Sequence, residues 1–214
     1  MESPSRRRAR AFVRTTRLRH RTTPDASPSA TRGKPELSDH PAVRASHDDG
    51  DVFYSVPVPD LEIVPATDAD APELLVLTRA CWVQEALANE TLDIPALHES
   101  LDQVRSDIER WDTYVVRAGT RLVASVRGRL TEGEDGRPVW DIGRLMVAPD
   151  LQGSGLGRRL LDHIQSVAPA EAVGFELFTG ERSTRNHRMY LAAGFVLRPE
   201  VPAPPSAVML TKAR

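Results

Sequence analysis

The residues best suited to bind a ligand lie between Gln152 and Arg158, where the sequence reads QGSGLGR. Gly153, Gly155 and Gly157 let the backbone approach a ligand closely and free its N–H groups to point outward. An apolar segment precedes this glycine loop, and an amphipathic helix begins directly after it. Because the N-terminus of a helix carries partial positive charge, the loop is suited to bind a phosphate or pyrophosphate.

Three interpretations of the glycine loop compete. A P-loop is excluded because no Gly-Lys-Ser/Thr sequence follows the glycines. A dinucleotide-binding G-x-G-x-x-G motif is disfavoured because the sixth position counted from Gly153 is Arg158, and because several helices and strands precede the loop. The pattern Q-x-x-G-x-G fits the pyrophosphate loop of acyl-CoA-dependent N-acyltransferases. By itself it fits an ordinary glycine-rich turn between a strand and a helix equally well.

A second segment, residues 186–195 with the sequence NHRMYLAAGF, decides between these interpretations. Ser183 suits the N-cap of a short helix there, and Gly194 suits the position after its end. With the glycine loop and the predicted strand between them, this segment resembles the GNAT superfamily of N-acetyltransferases. In that family the Q-x-x-G-x-G loop is followed by a strand and a short helix reading N-x-x-x-Y-x-x-x-G-F. The resemblance covers roughly Leu61 to Arg214.

The resemblance implies an α/β (α+β) fold of the GNAT type, with a mixed central sheet flanked by helices, formed by residues 59–214. The hydrophobic pattern predicts a helix from a capping box at Asp70 and Glu73 to about Ala88, and a second helix from about Pro95. The predicted order is β-α-α-β-β-β-α-β-α-β-β. Its strands are expected at residues 61–64, 113–117, 121–130, 139–147, 172–179, 195–198 and 207–211.

Length and composition fit one catalytic domain with an N-terminal extension. The chain has 214 residues, of which 40% are hydrophobic, enough to bury a substantial core. Residues 1–58 are rich in Arg, Ser and Pro without a sustained apolar period, which predicts disorder. Through Gly50 there are eleven basic and six acidic residues, and the remainder has seventeen and twenty-four, in keeping with a net charge of −2.

Composition also limits the cellular compartment, the metals and the binding partners that we expect for the protein. The single cysteine, Cys81, forms no intramolecular disulfide and argues against a zinc cluster, so no metal is expected. No apolar stretch approaches the length of a membrane span, which favours a cytoplasmic enzyme with no membrane partner. Nucleic-acid binding is considered only for the Arg-rich extension, where a segment without a defined role is favoured. The sequence leaves a homodimer open.

The resemblance also implies which residues bind acetyl-CoA. Backbone groups at the end of the strand before the loop would pair with the pantetheine arm, namely Leu145, Met146 and Val147. The amides of the loop would hold the pyrophosphate, namely those of Gln152, Gly153, Ser154, Gly155, Leu156, Gly157 and Arg158. Asn186 matches a position that contacts the cofactor. Tyr190 matches the usual general acid, and its phenol, which is neutral at pH 7, would protonate the departing CoA thiolate.

The general base is open between two interpretations. Asp141 lies at the position where some family members place a catalytic glutamate, and a shorter aspartate would act through water. Alternatively, its carboxylate forms an ion pair with Arg144, or with Arg127 or Arg129 on the neighbouring strand.

The resemblance also implies that the junction of the first two helices forms one wall of the acceptor site. Trp82, Glu85 and Glu90 fall there, an arrangement that favours a cationic amine acceptor beside an aromatic face. A solvated acidic surface explains the two glutamates nearly as well. The favoured function is transfer of an acetyl group from acetyl-CoA to an amine by direct attack. The alternative is a non-catalytic module of the same fold that binds acyl-CoA as a sensor.

Overall fold

The computed structural model describes residues 61–214 in full and, before them, only the backbone of residues 44–48 and 51–55. Those two segments are strands β1 (Arg44–Asp48) and β2 (Asp51–Ser55), which pair antiparallel. The remainder of residues 1–58 lies outside the described part, so the predicted disorder of this extension stays a prediction.

The first helix begins after a cap that differs from the predicted one. Strand β3 (Ile63–Pro65) is followed by a single 3-10 turn and then by helix α1 (Ala71–Asn89). The carboxylate of Asp70 accepts hydrogen bonds from the backbone N–H (2.8 Å) and the hydroxyl (2.9 Å) of Thr67. The predicted capping box with Glu73 is wrong, because Glu73 reaches across to the sheet and accepts from the backbone N–H of Leu122 at 3.0 Å.

The predicted second helix is divided into two. Helix α2 (Pro95–His98) ends after one turn, and helix α3 (Leu101–Arg110) begins with Ser100 as its N-cap. The Ser100 hydroxyl accepts from the N–H of Gln103, and the Gln103 side chain accepts from the N–H of Ser100. This reciprocal cap competes with continuation of the helix. The interruption leaves Glu99 outside both helices.

Seven strands form the main sheet, in the order β3-β4-β5-β6-β7-β9-β8. Helix α4 follows β6 and helix α5 follows β7, so from β3 onward the order of elements agrees with the predicted one apart from the divided helix. The bounds are β4 Asp112–Ala118, β5 Arg121–Glu132, β6 Pro138–Val147, α4 Leu156–Ser166, β7 Gly174–Gly180, α5 Thr184–Ala192, β8 Val196–Arg198 and β9 Ala207–Ala213.

Helices α1 and α4 pack against β5 and β6 from opposite faces of the sheet. Met146 points toward α1, where its sulfur accepts from the hydroxyl of Thr78 at 3.4 Å. Its neighbours in β6, Leu145 and Val147, point the other way and lie against Gly157 of α4. In the described part, no helix is long and apolar enough to cross a membrane.

Candidate active site

A cleft opens between β6 and β7 because these two parallel strands separate. Their register pairs are Trp140 with Phe175 and Asp141 with Glu176, after which the described strands no longer pair. The gap is about 900 Å³ in volume and is walled by α1, α5 and the glycine loop. Backbone groups of β6 that face this gap have no ladder partner in β7, so they are available to a ligand.

A β-bulge in β6 shapes one wall of the cleft. In the pairing of β5 with β6, Ser125 lies opposite Met146 and Arg127 lies opposite Gly143. One residue of β5 therefore faces two residues of β6 between these pairs. Arg144 lies in this bulge with φ +50°. Residues other than glycine seldom adopt that left-handed conformation, and a bulge redirects the side chain that it carries. Arg144 forms part of the wall of the cleft, and its guanidinium lies over the ring of Trp82, another residue of that wall.

The glycine loop has the conformation that its composition predicts. Gly153 has φ +88° and Gly155, the N-cap of α4, has φ +86°. A Cβ atom on either would meet no heavy atom within 4 Å, so each glycine is required by its backbone angle and each borders open space. The amide of Arg159 donates to the carbonyl of Gly155 at 3.2 Å. The N–H groups that precede it at the start of α4 have no partner inside the helix, as an anion site requires.

Most of the predicted cofactor residues line this cleft. They are Leu145, Met146, Val147, Gln152, Gly153, Gly155, Gly157, Arg158 and Asn186. Two do not line it: the Ser154 hydroxyl donates to the carbonyl of Leu151, and the Leu156 side chain lies in the core. Any contact that these two make with a ligand is therefore limited to their backbone amides.

The side chain of Gln152 holds the loop in place. Its amide nitrogen donates to Gln84 Oε1 at 2.9 Å and to the carbonyl of Val147 at 3.3 Å, and its oxygen accepts from Arg185. Arg158, four residues before Asp162, forms an ion pair with that aspartate at 3.0 Å. Gln84 and Arg185 are contacts that the sequence analysis missed, because they come from distant helices.

Tyr190 is the buried phenol of the cleft. Its side chain packs edge-on against Phe195, and Tyr190 is 7% exposed. Burial raises its pKa well above the ordinary value, and the nearby Glu85 carboxylate adds to the effect, so the phenol is neutral at physiological pH. Among the described residues its oxygen has no hydrogen-bond partner, which leaves it free to donate to a ligand.

Glu85 joins α1 to α5 through both oxygens of its carboxylate. One of its oxygens accepts from the Asn186 amide at 3.0 Å, and the other accepts from the Ser183 hydroxyl. The predicted substrate residue Glu85 and the predicted cofactor residue Asn186 thus contact each other. Glu90 is 75% exposed, pairs with Arg182 at 2.5 Å and does not line the cleft.

Asp141 lines the cleft and is also paired. Its Oδ2 accepts from Arg129 Nη2 at 3.1 Å and from Nε at 3.2 Å, which identifies Arg129 as the partner among the three arginines considered. Burial raises the pKa of Asp141, and the opposing charge of Arg129 reduces that effect. The structure thus shows the ion pair across neighbouring strands, and the role of Asp141 as general base stays a prediction.

Replacing Asp141 with asparagine should raise thermal stability at neutral pH. Because burial raises the pKa of Asp141 in the folded state, its carboxyl group favours folding at low pH, and this contribution is lost as the pH rises through the folded pKa. The gain in Tm for Asp141→Asn should therefore be smallest near about pH 4 and grow toward about pH 7. Thermal melts across that range measure it.

Asp135→Asn is the matched control for this measurement. Asp135 is exposed, and its ion pair with Arg137 lowers its pKa, so its ionised form favours the folded state at neutral pH. That variant should lose stability as the pH rises, the opposite sign. A loss of Tm at pH 7 in Asp141→Asn would show that the ion pair with Arg129 outweighs the effect of burial.

The cleft is lined by more basic than acidic side chains, although acidic residues outnumber basic ones in the sequence after Gly50. Glu85, Asp93 and Asp141 are the acidic residues of its wall. The basic ones are six arginines, Arg127, Arg129, Arg144, Arg158, Arg182 and Arg185. From the sequence, the first three were expected only as partners of Asp141. The alternation of Arg127 and Arg129 along one strand was the signal that they share a face.

Comparison with known proteins identifies the class. The model of the acetyltransferase (GNAT) family matches residues 79–195, more than half of the chain, and this match includes the glycine loop, Asn186 and Tyr190. The chain therefore belongs to the GNAT acetyltransferase family, which uses acyl-CoA as donor. No curated protein sequence matches it significantly.

Solved structures of the same fold are similar at low identity. The PaiA N-acetyltransferase of Thermoplasma acidophilum, in complex with coenzyme A, has a TM-score of 0.60 at 14% identity, covering 72% of this chain and 99% of that one. A GNAT acetyltransferase of Streptococcus agalactiae 2603 has 0.61 at 13%, covering 73% and 96%. The ribosomal-protein-alanine N-acetyltransferase of Brucella melitensis has 0.56 at 19%, covering 72% and 100%. These likenesses establish the fold.

Proposed function

We propose that the protein transfers an acetyl group from acetyl-CoA to an amine acceptor by direct attack in a ternary complex. The observation that carries the proposal is that the glycine loop and the Tyr190 phenol border the same cleft. One end of the cleft is thus built for phosphate groups, and its interior holds a neutral proton donor. The coenzyme A bound by the Thermoplasma protein supports the choice of donor.

The donor would bind along β6 and the start of α4. The backbone N–H groups at the start of α4 would hold the pyrophosphate of acetyl-CoA, favoured by the positive end of the helix. The unpaired edge of β6 at Leu145, Met146 and Val147 would hydrogen-bond the pantetheine arm. The side chains of Arg158 and Arg185 line the same end of the cleft and supply further positive charge.

The chemistry requires two proton movements. The amine nitrogen attacks the thioester carbon, the new C–N bond forms and the C–S bond breaks, releasing the CoA thiolate. The amine loses one proton, which Asp141 would accept directly or through water, aided by a pKa that burial raises. The thiolate gains one proton, which the Tyr190 phenol would donate. The products are an acetylated amine and the free thiol of coenzyme A.

A panel of amines with acetyl-CoA tests the proposal, with free thiol as the readout. We expect thiol release above the rate of hydrolysis with at least one amine, and incorporation of a single acetyl group by mass spectrometry. A sensor module would bind acetyl-CoA in calorimetry and release no thiol with any amine. That result would overturn the proposed transfer while leaving the donor site in place.

A further inference from the structure

Three arginines line the part of the cleft toward the start of β6, away from the glycine loop. Arg127 and Arg129 stand on β5, and Arg144 stands on the bulge of β6. Arg129 is in register with Asp141, and the glycine loop begins only after Val147. Six residue steps of strand separate these two positions, a distance of about 20 Å. Arg144 stands three steps before Val147, about 10 Å along the strand. Arg129 is therefore out of reach of donor phosphates held at the start of α4, and Arg144 lies between the loop and Arg129.

The carboxylates that pair with two of these arginines lie behind them as viewed from the cleft. Asp107 accepts from Arg127 Nη1 at 2.7 Å, and Glu99 accepts from Arg144 Nη2. Neither carboxylate lines the cleft, whereas both line a separate cavity of about 20 Å³ together with the two guanidinium groups. Each guanidinium has five N–H donors and gives one to its carboxylate, so both retain donors for a ligand.

The two guanidinium groups are held rigidly against aromatic rings. Arg144 lies 4.9 Å from the ring centroid of Trp82, and Arg127 lies 4.3 Å from that of Trp111. A group fixed in this way loses little conformational entropy when it binds a ligand. The Nε atoms of Arg127 and Arg144 are buried without a hydrogen-bond partner in the described part of the chain. The protein therefore leaves both groups incompletely satisfied.

Their mutual repulsion points to an anion. Burial lowers the pKa of Arg127 and the positive charge of Arg144 nearby lowers it further, while the carboxylates of Asp107 and Glu99 offset only part of this effect. An anion in the cleft beside both groups would relieve this repulsion. Two of the three acidic side chains of the wall are already engaged, since Glu85 is bound to Ser183 and Asn186, and Asp141 is paired with Arg129. The third, Asp93, is exposed.

We infer that the acceptor is an amino acid whose carboxylate binds Arg144, with Arg127 adding positive charge and Trp82 an apolar face. This inference rests on the proposed function and specifies its acceptor. A carboxylate matches the planar guanidinium, which can donate two parallel hydrogen bonds to it. Recognition of the acceptor through its carboxylate replaces the sequence-based preference for a cationic acceptor recognised by Glu85 and Glu90.

The test compares each common amino acid with its carboxamide, which keeps the amine and removes the negative charge. Two readouts are used. One is thiol release from acetyl-CoA, and the other is calorimetric binding to the protein saturated with coenzyme A, which requires no turnover. We expect at least one amino acid to exceed its amide by about tenfold or more in kcat/KM and in affinity.

The variant that tests the residue is Arg144→Gln combined with Glu99→Gln. Removing both charges avoids a buried unpaired carboxylate, which would destabilise the fold. We expect the KM for the amino acid to rise about ten- to a hundredfold, with the KM for acetyl-CoA and the reaction of the amide unchanged. The matched control is Arg137→Gln with Asp135→Asn, an exposed pair outside the cleft, which should behave as the wild type.

The possible results separate the two proposals. Preference for the acid in the wild type that is lost in the Arg144 variant supports the inference. Equal use of acids and amides, or a preference that persists in the variant, overturns it while acetyl transfer stands. Binding of acids over amides that depends on Arg144, with no thiol release, supports a carboxylate site at Arg144 but overturns transfer, and with it the role of the amino acid as acceptor. Absence of binding by every acid overturns the inference.

Discussion

Gly155→Val should abolish the binding of coenzyme A at concentrations that saturate the wild type. Gly155 has φ +86° and lies at the wall of the cleft. A side chain added to it would point into open space. A branched side chain there would occupy the space that the pyrophosphate needs and distort the start of α4. Loss of two hydrogen bonds to a charged group, each worth about 1.5–3 kcal/mol, weakens binding by about a hundredfold or more.

Gly119→Val separates this effect from backbone strain. Gly119 lies in the turn between β4 and β5, has φ +61° and likewise has no heavy atom near its missing side chain. Both variants should therefore lose thermal stability to a similar degree, whereas only Gly155→Val should lose affinity for coenzyme A in calorimetry. Wild-type affinity in a folded Gly155→Val protein would remove the loop from the donor site.

Features set by neighbouring residues were predictable from the sequence. The left-handed conformations of Gly153 and Gly155 follow from glycine itself, and the N-terminus of α4 follows from the amphipathic pattern that succeeds the loop. The spacing of Asn186 and Tyr190 places both on one face of a short helix, and both line the cleft. Local signals of this kind survive folding because no distant residue competes with them.

Features set by contacts between distant residues were not predictable. Glu73 is in the right place for a capping box, but it hydrogen-bonds β5 because the tertiary fold brings Leu122 within reach. Glu85 is spaced correctly for an acceptor wall, but α5, a hundred or so residues later, supplies Ser183 and Asn186 as its partners. The bulge that redirects Arg144 depends on the register with β5, which no pattern within β6 determines.

The unpredicted break between α2 and α3 affects the wall of the cleft. A continuous helix from Pro95 would have kept Glu99 on a helical face. The cap at Ser100 instead releases Glu99 into a loop, from which it reaches Arg144. A local signal that the sequence does contain, serine followed three residues later by glutamine, thus positions a cationic side chain of the cleft.

Tyr190→Phe should leave the affinity for acetyl-CoA nearly intact while kcat falls by about ten- to a thousandfold, the scale of losing one positioned acid. The phenol is buried and neutral, and its oxygen has no hydrogen-bond partner among the described residues. Replacement therefore leaves no other described group unsatisfied, and Tm should change little. Steady-state kinetics, calorimetry with acetyl-CoA and thermal melts measure the three quantities.

Tyr114→Phe is the matched control, since Tyr114 is a partly buried tyrosine of β4 that packs against His163 and does not line the cleft. It should retain the wild-type kcat. If the phenol of Tyr190 serves only packing, Tyr190→Phe should keep kcat within about a factor of three. That outcome would assign protonation of the thiolate to solvent. The donor site would be unaffected, because it depends on the glycine loop and the unpaired edge of β6 and requires no proton from this tyrosine.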